Sequence, residues 1–163
     1  MEGENIIITG ANRGIGKELV KVFAEAGANI WACMRKENED FISWKSELEQ
    51  IHNVWIKTVC FDITDSESFD IGIKSILDEN IKIDVLINNA GISTVKLLNK
   101  SKLEEVKALF NVNYFSMLNM IQKISKKMVR QKSGVIINMG SIAGIEPQPG
   151  KIAYGSSTVS YTH

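Results

Sequence analysis

Net charge and long apolar runs are both missing from this sequence of 163 residues. Its 19 basic residues balance 19 acidic ones, so no long-range field attracts nucleic acid or an anionic membrane surface. The N-terminal stretch "MEGENIIITG" is apolar only at its run of isoleucines, which is too short for a signal peptide or a membrane span. We therefore expect a cytoplasmic protein whose partners include neither nucleic acid nor membrane.

Cysteine and histidine are scarce as well. Cys33 and Cys60 lie in apolar, strand-like runs without CxxC or Cys/His spacing, so we expect both thiols to be buried among hydrophobic side chains. His52 and His163 have no second ligand at a spacing that metal sites use. The sequence therefore predicts neither a disulfide framework nor a metal site.

Proline is limited to Pro147 and Pro149, which fall in one loop. No repeat, low-complexity tract or Pro/Gly-rich linker divides the chain. With 44% hydrophobic residues, 163 residues suffice for one domain with a real core but are short for two. We expect a single domain over residues 1–163.

What the sequence does contain is an alternation of short β-rich runs with longer helical ones, for example "NIIIT", "IGKELVKVFAEAG" and "NIWACM". The strand-like runs are continuously apolar, as expected when helices cover both faces of a parallel sheet. The pattern predicts an α/β fold with a doubly wound, Rossmann-type parallel sheet in three layers. In the first helix, three- and four-residue spacings predict one buried face. That face comprises Ile15, Leu19, Val22, Phe23 and Ala26.

A glycine-rich turn joins the first predicted strand to the first helix. In "IIITGANRGIGKEL", Gly10, Gly14 and Gly16 have the spacing G-x3-G-x-G, which differs from the G-x-G-x-x-G of the standard dinucleotide fingerprint. Glycines there let the backbone approach a pyrophosphate, and the helix N-terminus supplies N–H groups. A tight strand-to-helix connection is the simpler alternative, but the position favours phosphate binding.

The end of the second strand carries basic residues where many dinucleotide-binding folds have an acid. The sequence reads "ACMRKEN", with Arg35 and Lys36 at this place and Arg13 in the glycine turn. Guanidinium groups favour a 2′-phosphate by charge and by forked geometry, so NADP(H) is favoured over NAD(H). The alternative is that these are solvated loop charges.

Six segments together resemble the short-chain dehydrogenase/reductases. They are "TGANRGIG", "FDITD", "NNAG", "NVN", "NMGSIAG" and "AYGSS", in the family's order and spacing over residues 4 to 157. The chain is most similar to the 3-oxoacyl-[acyl-carrier-protein] reductase type. The resemblance implies NADP(H)-dependent reduction of a keto group, that of a 3-oxoacyl thioester, which is a step of fatty acid biosynthesis. The substrate would be a small molecule or would be carried on an acyl carrier.

The resemblance also implies roles for individual residues. Tyr154 would give a proton to the substrate carbonyl, Ser141 would hydrogen-bond it, and Asn113 would bind a water in the proton relay. Asp62 would contact the adenine end. The implied cofactor contacts are Thr9, Gly10, Asn12, Arg13, Gly14, Ile15, Gly16, Arg35, Asp62, Ile63, Asn88, Ala90 and Gly91.

Each of the polar residues also has a simpler interpretation. Asn88 could cap a turn, Asn113 could be a polar break in a helix, and Ser141 could begin a loop. The long helix that contains Asn113 has two interpretations as well. Its apolar stripe of Met117, Ile121, Ile124 and Met128 predicts core packing, whereas the family uses this helix to form homo-oligomers. Its basic residues predict a solvated face; they are Lys123, Lys126, Lys127, Arg130 and Lys132.

The chain departs from the family in its last residues. The family pattern is Tyr-x-x-x-Lys, but this chain has Tyr154 followed by Thr158. A free tyrosine titrates at about 10, and lowering that pKa by about three units corresponds to about 4 kcal/mol, which an uncharged threonine does not supply. We therefore expect an impaired enzyme, with a non-catalytic dinucleotide-binding module or an inactive remnant as the alternative.

The resemblance ends within one residue of Ser157, whereas the family continues well beyond this point. We expect a C-terminally truncated chain, arising from an altered reading frame or a prematurely ended gene. Without further strands, "GVIIN" at residues 134–138 would be an exposed sheet edge, and such an edge invites association with other chains. The tail "GSSTVSYTH" is rich in weak helix formers, so we expect a poorly packed terminus.

Overall fold

Strands and helices alternate along the chain as the apolar pattern predicts. A computed structural model describes residues 1–146 and 148–159; Pro147 and His163, considered above, lie outside the described residues. The strands are β1 Asn5–Thr9, β2 Asn29–Met34, β3 Ile56–Cys60, β4 Val85–Asn88 and β5 Val135–Asn138. The helices are α1 Gly14–Glu25, α2 Glu39–His52, α3 Ser66–Asp78, α4 Leu103–Phe110, α5 Ser116–Gln131 and α6 Ile152–Val159.

The five strands form one parallel sheet in the order β3-β2-β1-β4-β5. The central strand β1 pairs on both sides, so that Ile7 lies between Trp31 of β2 and Leu86 of β4. The chain order reverses between β1 and β4, and ligands of such sheets bind outside the carboxyl ends of the strands at that reversal. This order confirms the doubly wound, Rossmann-type parallel sheet that the sequence predicts.

Two hydrophobic cores lie on opposite faces of the sheet, which confirms the three-layer arrangement. Ile6 and Ile8 of β1 face the first core with α1 and α2, whereas Ile7 faces the second core with α3 and α5. The second core includes Trp31, which is completely buried. The alternation of β1 between two buried layers explains why its sequence is continuously apolar.

The inward face of α1 differs from the prediction. The buried residues of this helix follow a four-residue spacing and are Gly16, Val20 and Ala24. Leu19 and Phe23 of the predicted face pack only partly against the core. The exposed members of that face are Ile15, Val22 and Ala26. The small residues Gly16 and Ala24 let the helix approach the sheet closely, and this rotates the larger apolar side chains outward.

The long predicted helix is α4 and α5 joined by one π-helical stretch, Asn111–Phe115, in which Asn113 is buried. The predicted core stripe of α5 is confirmed, since Met117, Ile124 and Met128 are buried and Ile121 packs against them. Among the basic residues of this helix, Lys123 pairs with Asp70 at 2.7 Å. π-helical stretches are frequent at functional sites.

The edge strands correct one prediction and confirm another. Cys33 is buried on β2, and this burial raises the pKa of its thiol. Cys60, at the end of edge strand β3, is exposed, so the prediction of two buried thiols is wrong for Cys60. β5 is the other edge of the described sheet, and its Val135 and Ile137 side chains are exposed, as predicted.

The last described helix is better packed than its composition predicts. Gly155, Ser157 and Thr158 of α6 are buried, and α6 packs against a 3-10 turn at Ile142–Gly144. A Cβ atom at Gly155 would lie 2.4 Å from the carbonyl oxygen of Ala143, so glycine permits this close contact. The expectation of a poorly packed tail is therefore wrong as far as Val159. No helix in the described part of the chain has the length and apolar character needed to cross a membrane.

Candidate active site

A groove of about 610 Å³ lies along the carboxyl ends of the central strands. This volume is in the range of ligand and cofactor sites. Twelve of the predicted cofactor contacts line it: Thr9, Gly10, Asn12, Arg13, Gly14, Ile15, Gly16, Arg35, Asp62, Ile63, Ala90 and Gly91. The sequence therefore brings these residues together from four different connections of the fold.

The glycine turn forms one wall of the groove and fits a dinucleotide. Gly10 has φ +67°, a left-handed conformation that glycine adopts without strain. A Cβ atom at Gly16 would lie 2.1 Å from the Gly10 carbonyl oxygen, so the turn and the helix are in direct contact. Helix α1 begins at Gly14 with no acidic residue in its first turn, which leaves its positive dipole end open to a pyrophosphate.

Asn89 holds the glycine turn against β4, a role that the sequence did not reveal. Its Nδ2 atom donates to the carbonyl oxygens of Thr9 at 3.0 Å and Gly10 at 3.3 Å. In return, the Thr9 hydroxyl accepts from the backbone N–H groups of Asn89 and Ala90, both at 3.0 Å. The Thr9 side chain thus links the end of β1 to the residues that follow β4. The sequence signals for Asn89 are its place directly after a buried strand and its membership of the segment "NNAG", neither of which indicates this contact.

Replacing Thr9 by valine is expected to lower the free energy of unfolding by about 2 kcal/mol. Valine keeps the shape but leaves two half-buried N–H groups without an acceptor. Each such group costs about 1–3 kcal/mol when fully buried, so we expect a loss near the lower end of that range for each. Urea unfolding followed by circular dichroism measures the change. Thr9→Ser, which retains the hydroxyl, should recover at least half of the loss; equal losses in both variants would contradict a role for these hydrogen bonds.

Three charged residues line the groove in the described part of the chain. They are Arg13, Arg35 and Asp62, of which Asp62 is the one carboxylate. The side chain and backbone N–H of Thr64 both donate to Asp62 Oδ1, at 2.7 and 2.8 Å, and together with Arg35 they hold the pKa of Asp62 below its usual value. Asp62 is therefore an ionised residue whose acceptor capacity is partly used.

A second cavity, of about 200 Å³, adjoins the groove. Its described lining residues include Tyr154, Thr158, Asn113 and Asn88, and none of those described is charged. The cavity and the groove have five wall residues in common: Ile15, Asn89, Ala90, Gly91 and Ile92. A ligand that fills the groove and passes these shared wall residues would therefore enter the cavity that Tyr154 lines.

Asn113 fastens the helix that carries Tyr154. Its Oδ1 atom accepts from the Ile92 N–H, and its Nδ2 atom donates to the Ile92 carbonyl and to Ser157 Oγ, each at 2.9 Å. Ser157 is completely buried and donates to the Tyr154 carbonyl oxygen at 2.7 Å. The Asn113 side chain thus positions Tyr154 through Ser157. Sequence reasoning quoted Ser157 within "AYGSS" but missed this role, because the segment does not indicate a partner 44 residues away.

Ser141 and Asn88, two further residues of the prediction, differ in their relation to the cavity, since Asn88 lines it and Ser141 does not. Ser141 is not among its lining residues; its hydroxyl accepts from the Ala143 N–H at 3.2 Å and caps the 3-10 turn against which α6 packs. Asn88 donates to Asn138 Oδ1 at 2.8 Å. Its own Oδ1 atom is a buried acceptor for which the described residues provide no donor. A hydrogen-bond donor in the cavity would satisfy it.

No group of three or more His, Cys, Asp or Glu side chains in the described ranges could hold a metal ion. The polar groups that line the cavity are the hydroxyls of Ser93, Tyr154 and Thr158 and the side-chain amides of Asn88, Asn89 and Asn113.

Comparison with known protein families agrees with this geometry. The family model described as short chain dehydrogenase matches residues 4–162, which extends past Ser157, the residue at which the motif-based resemblance ends. Over 158 residues the chain is 35% identical to the 3-oxoacyl-[acyl-carrier-protein] reductase FabG of Thermotoga maritima. It is 32% identical over 153 residues to the protein of the same name from Chlamydia trachomatis.

The chain is shorter than these relatives. The alignment covers 96% of this chain but 63% of the Thermotoga maritima protein, and 93% of this chain but 60% of the Chlamydia trachomatis protein. A ketone-specific alcohol dehydrogenase from Comamonas testosteroni superposes with a TM-score of 0.86 at 24% identity, over 98% of this chain and 63% of that one. A short-chain dehydrogenase from Streptomyces avermitilis gives a TM-score of 0.87 at 22% identity, over 98% and 57%. These superpositions establish the fold.

Proposed function

Because this chain belongs to the short-chain dehydrogenase family, we propose that it is an NADP(H)-dependent oxidoreductase that reduces the keto group of a 3-oxoacyl thioester. One observation carries the proposal: the cavity lined by Tyr154 shares a wall with the glycine-rich groove. A dinucleotide and a keto substrate could therefore meet at the tyrosine. The thioester substrate is proposed from the names of the relatives with 35% and 32% identity.

The proposed chemistry divides between the cofactor and the side chains. Bound NADPH supplies the hydride that reduces the keto carbon. The Tyr154 hydroxyl would donate the proton that the keto oxygen gains. Ser141 would hydrogen-bond the same oxygen with its own O–H, and for this its side chain has to turn from the Ala143 N–H toward the cavity. Asn113 and Ser157 keep the tyrosine helix in place. The glycine turn and the N-terminus of α1 would hold the pyrophosphate.

The charges of the groove support NADP(H) over NAD(H). Two guanidinium groups, those of Arg13 and Arg35, line the end where a 2′-phosphate would bind. Lys36, the third basic residue of the prediction, is not among the lining residues. Asp62 already accepts two hydrogen bonds from Thr64, which makes it a weaker competitor for ribose hydroxyls.

The residue at position 158 favours a second candidate function, a dinucleotide-binding module without turnover. Thr158 lines the cavity, and its hydroxyl donates to the Gly155 carbonyl oxygen at 3.0 Å, inside its own helix. It brings no positive charge to the cavity, so Tyr154 lacks the cationic neighbour that promotes proton transfer.

Thermal unfolding with and without NADPH tests the binding half of the proposal. NADPH at 100 times its dissociation constant is expected to stabilise the protein by about 2.7 kcal/mol, seen as a rise in Tm. A cooperative transition whose Tm does not change on addition of NADPH would contradict both candidate functions, because both require the dinucleotide to bind the folded chain.

Turnover separates the two candidates. We expect slow NADPH oxidation with acetoacetyl-CoA, followed at 340 nm, and a loss of at least about 100-fold in Tyr154→Phe because the proton donor is removed. Tyr114→Phe is the matched control, since Tyr114 packs on Phe115 outside the cavity and should retain the rate. NADPH binding with no turnover in the unmodified chain would favour the binding module.

A further inference from the structure

Glu37 is the first acidic residue after β2 and lies three positions beyond the end of that strand. Acidic residues near this place in doubly wound folds hydrogen-bond the ribose hydroxyls of NAD and repel the 2′-phosphate of NADP. Glu37 is nevertheless absent from the lining of the groove, although Arg35, two residues before it, is present. Some feature of the structure therefore directs this carboxylate elsewhere.

Two side chains hold the Glu37 carboxylate beside the edge strand β3. The Thr58 hydroxyl, on β3, donates to Glu37 Oε1. Lys45 Nζ, on α2, lies 3.8 Å from the same oxygen and donates to the Ile56 carbonyl at 3.2 Å. The Lys45 side chain is only 19% exposed and that of Glu37 28%, so solvent screens this pair less than it screens a surface pair.

We propose that Thr58 and Lys45 favour NADPH over NADH by holding the Glu37 carboxylate against β3 and away from the groove. Arg35 and Arg13 then meet a 2′-phosphate without the Glu37 carboxylate beside them, and Asp62 is the carboxylate that remains among the described lining residues. This inference rests on the proposed function, because it requires the groove to bind a nicotinamide dinucleotide. Thr58 and Lys45 contact no cofactor and act only through Glu37.

Release of the Glu37 carboxylate would change the affinities for the two cofactors in opposite directions. A free Glu37 side chain can turn toward Arg35, neutralise part of its charge and place a negative charge near the 2′-phosphate, which weakens NADPH binding. The same carboxylate can accept hydrogen bonds from the two ribose hydroxyls of NADH, which strengthens NADH binding. The ratio of the two dissociation constants therefore reports the position of Glu37.

The test uses Thr58→Val, which keeps the side-chain shape and removes the donor. Dissociation constants for NADPH and NADH are measured by the change in reduced-nicotinamide fluorescence, for the full chain and each variant. We expect the preference for NADPH to fall about tenfold in Thr58→Val and to fall also in Lys45→Met. The double variant Thr58→Val/Glu37→Gln should regain the original ratio, because glutamine carries no charge.

Lys57→Met is the matched control. Lys57 lies beside Thr58 on β3 and pairs with Glu79 at 2.5 Å, so its removal perturbs the same strand without releasing Glu37. An unchanged ratio in this control and a lowered ratio in Thr58→Val and Lys45→Met support the proposal. If Thr58→Val does not fold, the ratio in Lys45→Met decides alone.

The failures are distinguishable. A chain that prefers NADPH and keeps its ratio in both Thr58→Val and Lys45→Met overturns this inference and leaves the proposed function intact. An equal loss of affinity for both cofactors also overturns it, since that pattern indicates only a structural role. A full chain that is folded but binds neither cofactor overturns the inference and the proposed function together.

Discussion

Replacing Thr158 by lysine is expected to raise the turnover of acetoacetyl-CoA with NADPH by about 100-fold. Thr158 lies one helical turn after Tyr154, and both residues line the cavity of about 200 Å³. An ammonium group there favours the charged form of the neighbouring phenol and so promotes proton transfer, to which general acid catalysis contributes about 10²–10⁴-fold. Steady-state rates at saturating NADPH measure the gain.

The cavity can accommodate the longer side chain but does not neutralise it. None of the lining residues that the structure describes is charged, and Asn88 Oδ1 is an acceptor for which the described residues provide no donor. Burying an ammonium without a carboxylate partner is unfavourable, so we expect Thr158→Lys to lower the free energy of unfolding by about 2 kcal/mol while it raises the rate. A gain in rate that accompanies a loss of stability is the signature of a catalytic charge, and better packing would raise both.

Two controls distinguish the charge from the change of shape. Thr158→Met adds length without charge and should leave the rate within about twofold of the unmodified chain. Adding Tyr154→Phe to Thr158→Lys should remove the whole gain, because the ammonium acts through the phenol. If Thr158→Lys leaves a measurable rate unchanged while the protein remains folded, the assignment of position 158 as the cause of impairment is wrong.

The fold could be predicted because its signals are local. Each buried strand is a short apolar run, and each helix has its own periodicity, so the parallel α/β class follows once the alternation is recognised. The inward face of α1 could not be predicted in the same way. Ile15 and Val22 have the right spacing for burial, but the close approach permitted by Gly16 and Ala24 selects another face. That choice depends on packing against the sheet, which no local pattern reports.

In the candidate site too, some features have local sequence signals and others depend on contacts between distant parts of the chain. Its backbone features, the glycine turn and the residues after β4, follow from their positions at strand ends. The side-chain links do not, because their partners are distant in sequence: Asn113 to Ser157 spans 44 residues, and Thr9 to Asn89 spans 80. The exposure of Cys60 was missed for a related reason, since an edge strand with apolar neighbours resembles an inner one in sequence.

Replacing Gly16 by alanine is expected to lower the free energy of unfolding by about 3 kcal/mol and to weaken NADPH binding at least 100-fold. The new methyl group would lie 2.1 Å from the Gly10 carbonyl oxygen and 2.6 Å from Asn89 Nδ2. Neither atom can move freely, because Asn89 Nδ2 also donates to the Thr9 carbonyl oxygen at 3.0 Å. The turn must therefore shift away from the helix, which separates the groups that would hold the pyrophosphate.

Gly3→Ala separates this contact from a general cost of replacing glycine. Gly3 has φ +76° and nothing within 4 Å of a built Cβ atom, so alanine there adds only backbone strain, about 1 kcal/mol, and should leave NADPH affinity unchanged. Urea unfolding and fluorescence titration measure both quantities, and a complete loss of cooperative unfolding in Gly16→Ala agrees with the expectation. Gly16→Ala with the stability of Gly3→Ala and unchanged affinity would mean that the turn does not need its contact with α1, and the groove would then owe its shape to Asn89 and Thr9 alone.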